Sequence, residues 1–289
     1  MKSLDKAREI TNLLRSAGIE YAEREAEMFI TVYLGIDHIT LFRDNPEINN
    51  GQMSAIDDMI NRRIKREPMQ YILETVDFLG LKLMVGIGVL IPRPETELMA
   101  EYAIERVKGQ RSEGRLRILD LCTGSGCLAL ALAKEFPDAE VFGVDISESA
   151  TQYARKNADL NNIRNATFLT GNLFEPFHKR STLDAQHITF DLIISNPPYI
   201  KSADIKTLQP EIKEWEPLHA LDGGPDGLDL YRAIIPPARN FLKKDGVLVM
   251  ELGIGCADGV RDLFSEAGYS RIEIIKDYAG IERIASARK

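Results

Sequence analysis

The sequence predicts an α/β fold, a mostly parallel seven-stranded sheet with interleaved helices, preceded by a small helical bundle. Three observations carry that expectation. Beyond residue 117, short apolar runs alternate with stretches of helical periodicity. The first 75 residues show helical periodicity alone. Finally, the polar and glycine-rich stretches of the second half sit at the carboxyl ends of predicted strands, where open α/β sheets bind ligands.

At the amino end, Ile10, Leu13 and Leu14, then Ala22, Ala26, Phe29 and Tyr33, then Ile56, Met59, Ile60 and Ile64 each mark one helical face. Gly18 and Gly35 are placed to close the first two helices, and Ser54 with Asp57 reads as a capping box opening the third. A bundle over 1–75 follows, as either a stability module or a surface that docks a macromolecule. From 76 to 92 the apolar runs are short and broken by Gly80, Gly86 and Gly88, which predicts a β-hairpin linker. Next, Ile91-Pro92-Arg93-Pro94-Glu95-Thr96-Glu97 stiffens the chain and opens a helix through Glu105. The domain from 93 to 289 then alternates. Strands are expected over 117–121, 140–145, 166–169, 190–195 and 247–251, and helices over 128–136 and 149–160. A final antiparallel pair covers 272–275 and 283–286. There is no internal repeat or low-complexity segment.

Composition narrows the class. A chain of 289 residues, 44% of them apolar, builds a substantial core, and a net charge of -8 disfavours a surface that tracks nucleic-acid phosphates. Met1-Lys2-Ser3-Leu4-Asp5-Lys6 lacks the apolar core of a signal peptide, and no apolar stretch nears the roughly 20 residues of a membrane span, so a cytoplasmic address is expected. Cys122, Cys127 and Cys256 form no metal-binding spacing and are expected as reduced thiols. His38, His178, His187 and His219 are scattered, and read as surface or loop residues rather than metal ligands.

The chemistry concentrates in three places. Asp120-Leu121-Cys122-Thr123-Gly124-Ser125-Gly126-Cys127 follows the first strand of the sheet and opens a helix, so small residues let a ligand approach the backbone and the helix N-terminus. Alone, it is equally a tight turn without a ligand. Asp145 ends the next strand, where a carboxylate accepts hydrogen bonds from ribose hydroxyls. A dinucleotide site is compatible with this loop, since Ala129 fills the third glycine position of G-x-G-x-x-G/A. Hydride transfer, however, gives no role to the third place, Asn196-Pro197-Pro198-Tyr199. There two prolines end a buried strand, and an amide, prolyl carbonyls and a ring are left to grip a planar NH2 group. Between them lies Gly171-Asn172-Leu173-Phe174, suited to border an adenine.

Asp-x-x-x-Gly-x-Gly, a downstream acid and Asn-Pro-Pro-Tyr together resemble a class I (Rossmann-like) S-adenosylmethionine-dependent amino-methyltransferase. With the 91–97 segment and the helical amino-terminal region, nearly the whole chain resembles the HemK/PrmC family, the protein N5-glutamine methyltransferases of peptide chain release factors. The resemblance implies S-adenosylmethionine as cofactor, S-adenosylhomocysteine as product and the glutamine of a release-factor Gly-Gly-Gln motif as acceptor. It places Gly124 and Gly126 against the methionine part, with Asp120, Cys122, Thr123 and Ser125 completing the turn. Asp145, with Ile146, would hold the ribose, and Asn172 and Leu173 would border the adenine. Asn196, Pro197, Pro198 and Tyr199 would hold the acceptor, Asn196 also touching the cofactor, and Asn196, Pro197 and Tyr199 acting catalytically. Two departures stand out: Cys122 replaces the first glycine of many relatives, and Leu173 replaces an aromatic residue of some.

A monomer without a metal ion is expected. Two alternatives share these motifs: an N6-adenine methyltransferase of DNA or RNA, since an exocyclic amine is also a planar NH2, and a non-catalytic cofactor-binding docking protein. Arg93 with Glu95 reads as either a pocket closure or a helix-start ion pair, and Trp215, within 210–217, as either core or a lid over the acceptor. Glu251 is left between facing the site and capping a turn.

Overall fold

A computed structural model describes residues 1–108, 114–178 and 188–289. His187 lies outside the described residues. The chain forms two compact units: Met1–Thr75 with Gln209–Trp215, and Val76–Leu208 with Glu216–Lys289.

The first unit is helical: α1 (Ser3–Ser16), α2 (Ala22–Leu34), α3 (His38–Asp44), α4 (Asn50–Ile64) and α5 (Met69–Leu73). Their apolar faces meet at Ile10, Leu14, Ala26, Phe29, Ile30, Leu41 and Ile56, all fully buried. Each such Leu, Ile or Phe contributes about 1.5–3 kcal/mol relative to an exposed one. Leu13 and Tyr33 fall off that face and are exposed. Gly35 ends α2 in the left-handed conformation, φ 65°, which its missing Cβ permits. The capping box of α4 is not Ser54 with Asp57. Asn49 and Gln52 form it, each side chain accepting the other's backbone N–H at 3.0 Å, so the helix starts a turn earlier.

The second difference is larger. The sequence reading leaves 209–215 with the sheet domain, whereas it packs in the first unit. The buried Arg63 guanidinium explains this, donating to Glu25 at 2.7 Å and to Glu211 at 2.9 Å, with Arg66 also 3.0 Å from Glu211. A buried guanidinium needs such partners, because an unpaired buried charge costs several kcal/mol.

In the second unit, β1 (Thr75–Phe78) and β2 (Leu81–Met84) make a two-stranded sheet. Then follow α6 (Pro94–Lys108), β3 (Arg117–Leu121), α7 (Cys127–Glu135), β4 (Glu140–Asp145), α8 (Glu148–Leu160), β5 (Ala166–Thr170), α9 (Glu175–His178) and β6 (Phe190–Ser195). After the single turn α10 (Pro210–Lys213), which belongs to the first unit, come α11 (Asp229–Phe241), β7 (Leu242–Glu251), α12 (Ala257–Glu266), β8 (Ser270–Lys276) and β9 (Glu282–Arg288). The seven-stranded sheet runs β5-β4-β3-β6-β7-β9-β8, parallel except for β9. Alternate residues of its strands enter opposite apolar layers, Ile118, Leu192, Ile194 and Val247 on one face and Leu119, Leu121, Ile193 and Leu248 on the other.

Register places the chemistry. Leu121 pairs with Val144 on β4 and with Ser195 on β6, so Cys122, Asp145 and Asn196 leave three adjacent strand ends together. The strand order reverses between β3 and β6, and such a switch point is where doubly wound sheets open a crevice.

Candidate active site

The turn after β3 is a left-handed construction. Cys122 (φ 58°), Gly124 (φ 56°) and Gly126 (φ 83°) all lie where an L side chain is disfavoured. At Gly126 a Cβ would sit 3.0 Å from Ala154 Cβ and 3.2 Å from the Phe168 ring, so this glycine lets α7 seat against α8 and β5. At Gly124 nothing would meet it, so that glycine serves conformation alone. Cys122 bears the penalty the glycines avoid, roughly 1–2 kcal/mol. Beneath the turn, Asp120 is fully buried, and its Oδ2 accepts from Thr123 Oγ1 at 2.6 Å and from the Ala129 N–H at 3.1 Å. Burial pushes its carboxyl up to about 7 despite these bonds. Asp120 therefore braces the turn from inside the sheet, and it does not line the cavity described next.

A cavity of about 230 Å³ opens over these strand ends. Cys122, Thr123, Gly124 and Ser125 form one side of it, and Asp145, Ile146, Asn172 and Leu173 another. Asn196 and Pro198 also line it, whereas Gly126, Pro197 and Tyr199 do not. The carboxylate of Asp145 is fixed by two backbone donors, Gly124 N–H to Oδ2 and Ser147 N–H to Oδ1, each at 2.9 Å. Burial raises its pKa above the usual aspartate value, and those donors oppose the rise. Each oxygen retains a free lone pair, so two further donors can be accepted. Leu173, like Cys122, is left-handed at φ 49°. Both departures noted in the sequence thus occupy positions where glycine would be relaxed.

The turn after β6 is organised differently. Ser195 Oγ donates to Leu121 O at 2.8 Å, tying the two strand ends together. Asn196 Nδ2 donates to Thr96 Oγ1 at 3.3 Å, and Thr96 Oγ1 donates to Glu251 Oε2 at 2.7 Å. Tyr199 OH donates to Glu251 Oε1 at 3.2 Å. Glu251 therefore neither faces the cavity nor caps a turn: it is buried behind the 196–199 segment. Three glycines cradle Tyr199. A Cβ on Gly223 would lie 2.6 Å from Tyr199 Cα, one on Gly227 2.6 Å from its carbonyl oxygen and one on Gly253 2.8 Å from its ring. Backbone bonds between Ile200 and both Leu221 and Gly223 hold the cradle shut.

The 91–97 segment closes another wall. Arg93 pairs with Glu216, not with Glu95, and Glu216 also accepts the Ile91 N–H at 3.3 Å. Glu95 instead faces Arg283 at 3.6 Å. This pairing fixes the chain just before Pro217, His219 and Ala220, which line the cavity. His219, expected as an ordinary loop residue, is an exposed wall residue of the site. Trp215 is half-buried in the first unit and absent from the wall. Thr96, Gly88, Val89 and Leu90 also line the cavity, although the sequence reading gave none of them a part in a site. Thr96 stood in the 91–97 motif and Gly88 in the hairpin linker, neither with a ligand role.

The donor set suits S-adenosylmethionine. The buried Ser125 Oγ has no hydrogen-bond partner among the described residues and lies on the wall, Asp145 is free to accept, and Leu173, Ile146 and Val89 offer apolar faces beside the amides of Asn172 and Asn196. Together with the sheet order, this is a class I S-adenosylmethionine-dependent methyltransferase. Residues 112–259 match the family described as "Methyltransferase domain", and residues 7–73 the family described as "PrmC N-terminal domain". The 16S rRNA N2 G1207 methyltransferase of T. thermophilus, solved with AdoMet and guanosine, shares the fold at TM-score 0.51 and 22% identity over 74% of this chain and 49% of its own. A human methyltransferase 10 domain containing protein does so at TM-score 0.51 and 16% identity, over 72% of this chain and 88% of its own.

Sequence relatives are more specific. The release factor glutamine methyltransferase of Thermodesulfovibrio yellowstonii is 46% identical over 100% of this chain and 99% of its own. That of Geobacter sulfurreducens is 43% identical over 95% and 92%. The chain belongs to the release factor glutamine methyltransferase family.

Proposed function

We propose that this protein methylates the side-chain amide nitrogen, N5, of the glutamine in the Gly-Gly-Gln motif of peptide chain release factors. The observation that carries the reading is full-length family likeness combined with an Asn-Pro-Pro-Tyr turn whose Asn196 and Pro198 line the cavity. When bound, S-adenosylmethionine supplies an electrophilic methyl group. The chain's own part is to present a poor nucleophile to it. A carboxamide nitrogen shares its lone pair with the carbonyl, so attack requires both N–H bonds to be held while density builds on nitrogen. Asn196 Oδ1 and the Pro197 carbonyl are the two acceptors, and Pro198 and Tyr199 keep the turn that aims them. Positioning of this kind lowers a barrier by several kcal/mol, up to roughly 7–11 in well-ordered systems. The surplus proton leaves to water once the nitrogen has been alkylated, so no catalytic histidine is needed.

Asp145 and Ile146 hold the ribose, Asn172 and Leu173 the adenine, and the turn at 122–126, braced by Asp120, the methionine part. Residues 1–75 dock the release factor: Tyr21, Ile39 and Phe42 are exposed there, 69%, 69% and 50% respectively. The protein works as a cytoplasmic monomer on a protein substrate. The net charge of -8 supports protein over nucleic acid, and among the described residues no helix is long and apolar enough to cross a membrane.

The test supplies methyl-labelled S-adenosylmethionine with a release factor, with the same factor carrying Gln→Ala at the motif, and with DNA. Label should enter the first alone. Label in DNA only would refute the glutamine reading, and label in none would favour a docking protein.

A further inference from the structure

Behind Asn196 lies a short hydrogen-bonded chain whose polarity is set when Glu251 is a carboxylate. Thr96 and Glu251 are 1% and 2% exposed, so neither hydroxyl nor carboxylate turns to water for partners. Burial raises the Glu251 carboxyl above the usual glutamate value, and the Thr96 and Tyr199 hydroxyls oppose that rise; as the carboxylate they favour, it accepts and never donates. The single Thr96 hydroxyl proton is therefore committed to Glu251 Oε2, at 2.7 Å, as the Tyr199 proton is to Oε1, at 3.2 Å. What Thr96 can offer Asn196 is a lone pair. Asn196 must meet it with Nδ2, at 3.3 Å, and its Oδ1 is then the end left for the cavity. Were Glu251 an amide or Thr96 a hydrocarbon, nothing would distinguish the two faces of the Asn196 side chain, and half a turn about its last bond would present an NH2 group instead.

We propose that Glu251, acting through Thr96, is the positioning residue that directs the Asn196 carbonyl at the acceptor, and so makes the site select a carboxamide over a carboxylate. The inference rests on the glutamine reading of the site. An Oδ1 facing the acceptor attracts the N–H bonds of glutamine and repels the oxygens of glutamate. A turned side chain would do the reverse. This role accounts for the burial of an acid that has no ion-pair partner among the described residues, since Arg283, the cation whose charge reaches it, is engaged by Asp277 at 3.0 Å. Such a carboxylate is costly to bury, and an apolar residue would pack there at less cost.

The test uses the full-length protein, a release factor, and the same factor with Gln→Glu at its motif as competitor. Thr96→Val and Glu251→Gln should each lower kcat about tenfold or more and leave the cofactor Kd within about twofold. In both, the Gln→Glu factor should compete about tenfold better, relative to the glutamine factor, than against the parent enzyme. Thr96→Ser, which keeps the hydroxyl, should return kcat to within about threefold. Parent-like kcat in Thr96→Val overturns the inference, as does a lowered kcat with unchanged preference against glutamate, or no rescue by serine in a folded protein. If the parent enzyme labels no release factor, it is the glutamine reading that fails. The Asn196 side-chain 15N–1H resonances then decide separately: unequal proton shifts that converge in Thr96→Val support the chain, and shifts that ignore the substitution overturn it.

Discussion

The turns after β3 and β6 lie side by side in the sheet, yet they are held in opposite ways. The first is shaped by its own backbone, with three left-handed residues within 122–126 and an aspartate two positions before them. The second has no left-handed residue, and remote groups shape it: Thr96 and Glu251 behind Asn196, and Gly223, Gly227 and Gly253 around Tyr199. On the proposed reading, a cofactor site can be written locally, because a nucleotide needs close backbone and one acid. An acceptor site that must hold two N–H bonds in line needs support from several strands and loops.

Substitutions can break or sharpen that contrast. On the proposed reading the largest effect is expected at the turn after β6, where Asn196→Ala would remove the amide oxygen proposed to hold the reacting N–H. Turnover should fall roughly 10²–10³-fold with little change in cofactor affinity, as read by single-turnover kinetics and calorimetric titration. Asp145→Ala should do the opposite, weakening the cofactor about 10–100-fold while kcat at saturation stays near the parent value.

Beneath the first turn, Asp120 couples pH to stability. Its carboxyl is raised to about 7 in the fold and is near 3.8 when free, so between those values the folded state holds an extra proton. Stability therefore falls as pH rises through that window and levels above it, a contribution of order 4 kcal/mol over the whole window. Denaturant titrations at pH 5 and pH 8 should show that slope, and Asp120→Asn should remove it.

Glycine exchanges separate the turns further. Gly223→Ala should lower kcat about tenfold by shifting Tyr199, with cofactor binding intact. Cys122→Gly should change kcat hardly at all and raise stability by about 1 kcal/mol, seen as a melting temperature a few degrees higher. Equal effects of these two exchanges on melting and on kcat would erase the distinction drawn here.

The same contrast explains what was legible in the sequence. Strands β3, β4 and β6 end where periodicity ends them, and the turns that follow declare themselves by glycine and proline, which act within a few residues. Thr96 stood in a noticed motif but without a reason, because its partners arrive from β6 and β7. Gly223 and Gly253 carried no signal, since a glycine's need is visible only once the neighbour that would strike its Cβ is in place. Helix α11 escaped because Pro236 and Pro237 interrupt its pattern. The box assigned to Ser54 was a fair local match outcompeted by Asn49, whose side chain and Gln52 close two backbone donors at once.

The excursion at 209–215 has a consequence for how this protein can be taken apart. Because it joins the first unit, the chain passes between units at residues 75/76, 208/209 and 215/216, three strands of covalent connection rather than one. A fragment starting at Val76 is therefore not a domain. It would expose Glu211 without Arg63 and Arg66, and would leave 209–215 without its partners one residue before the glutamate that pairs with Arg93. Cleavage between the units at a single site would leave them joined, and release would take all three cuts.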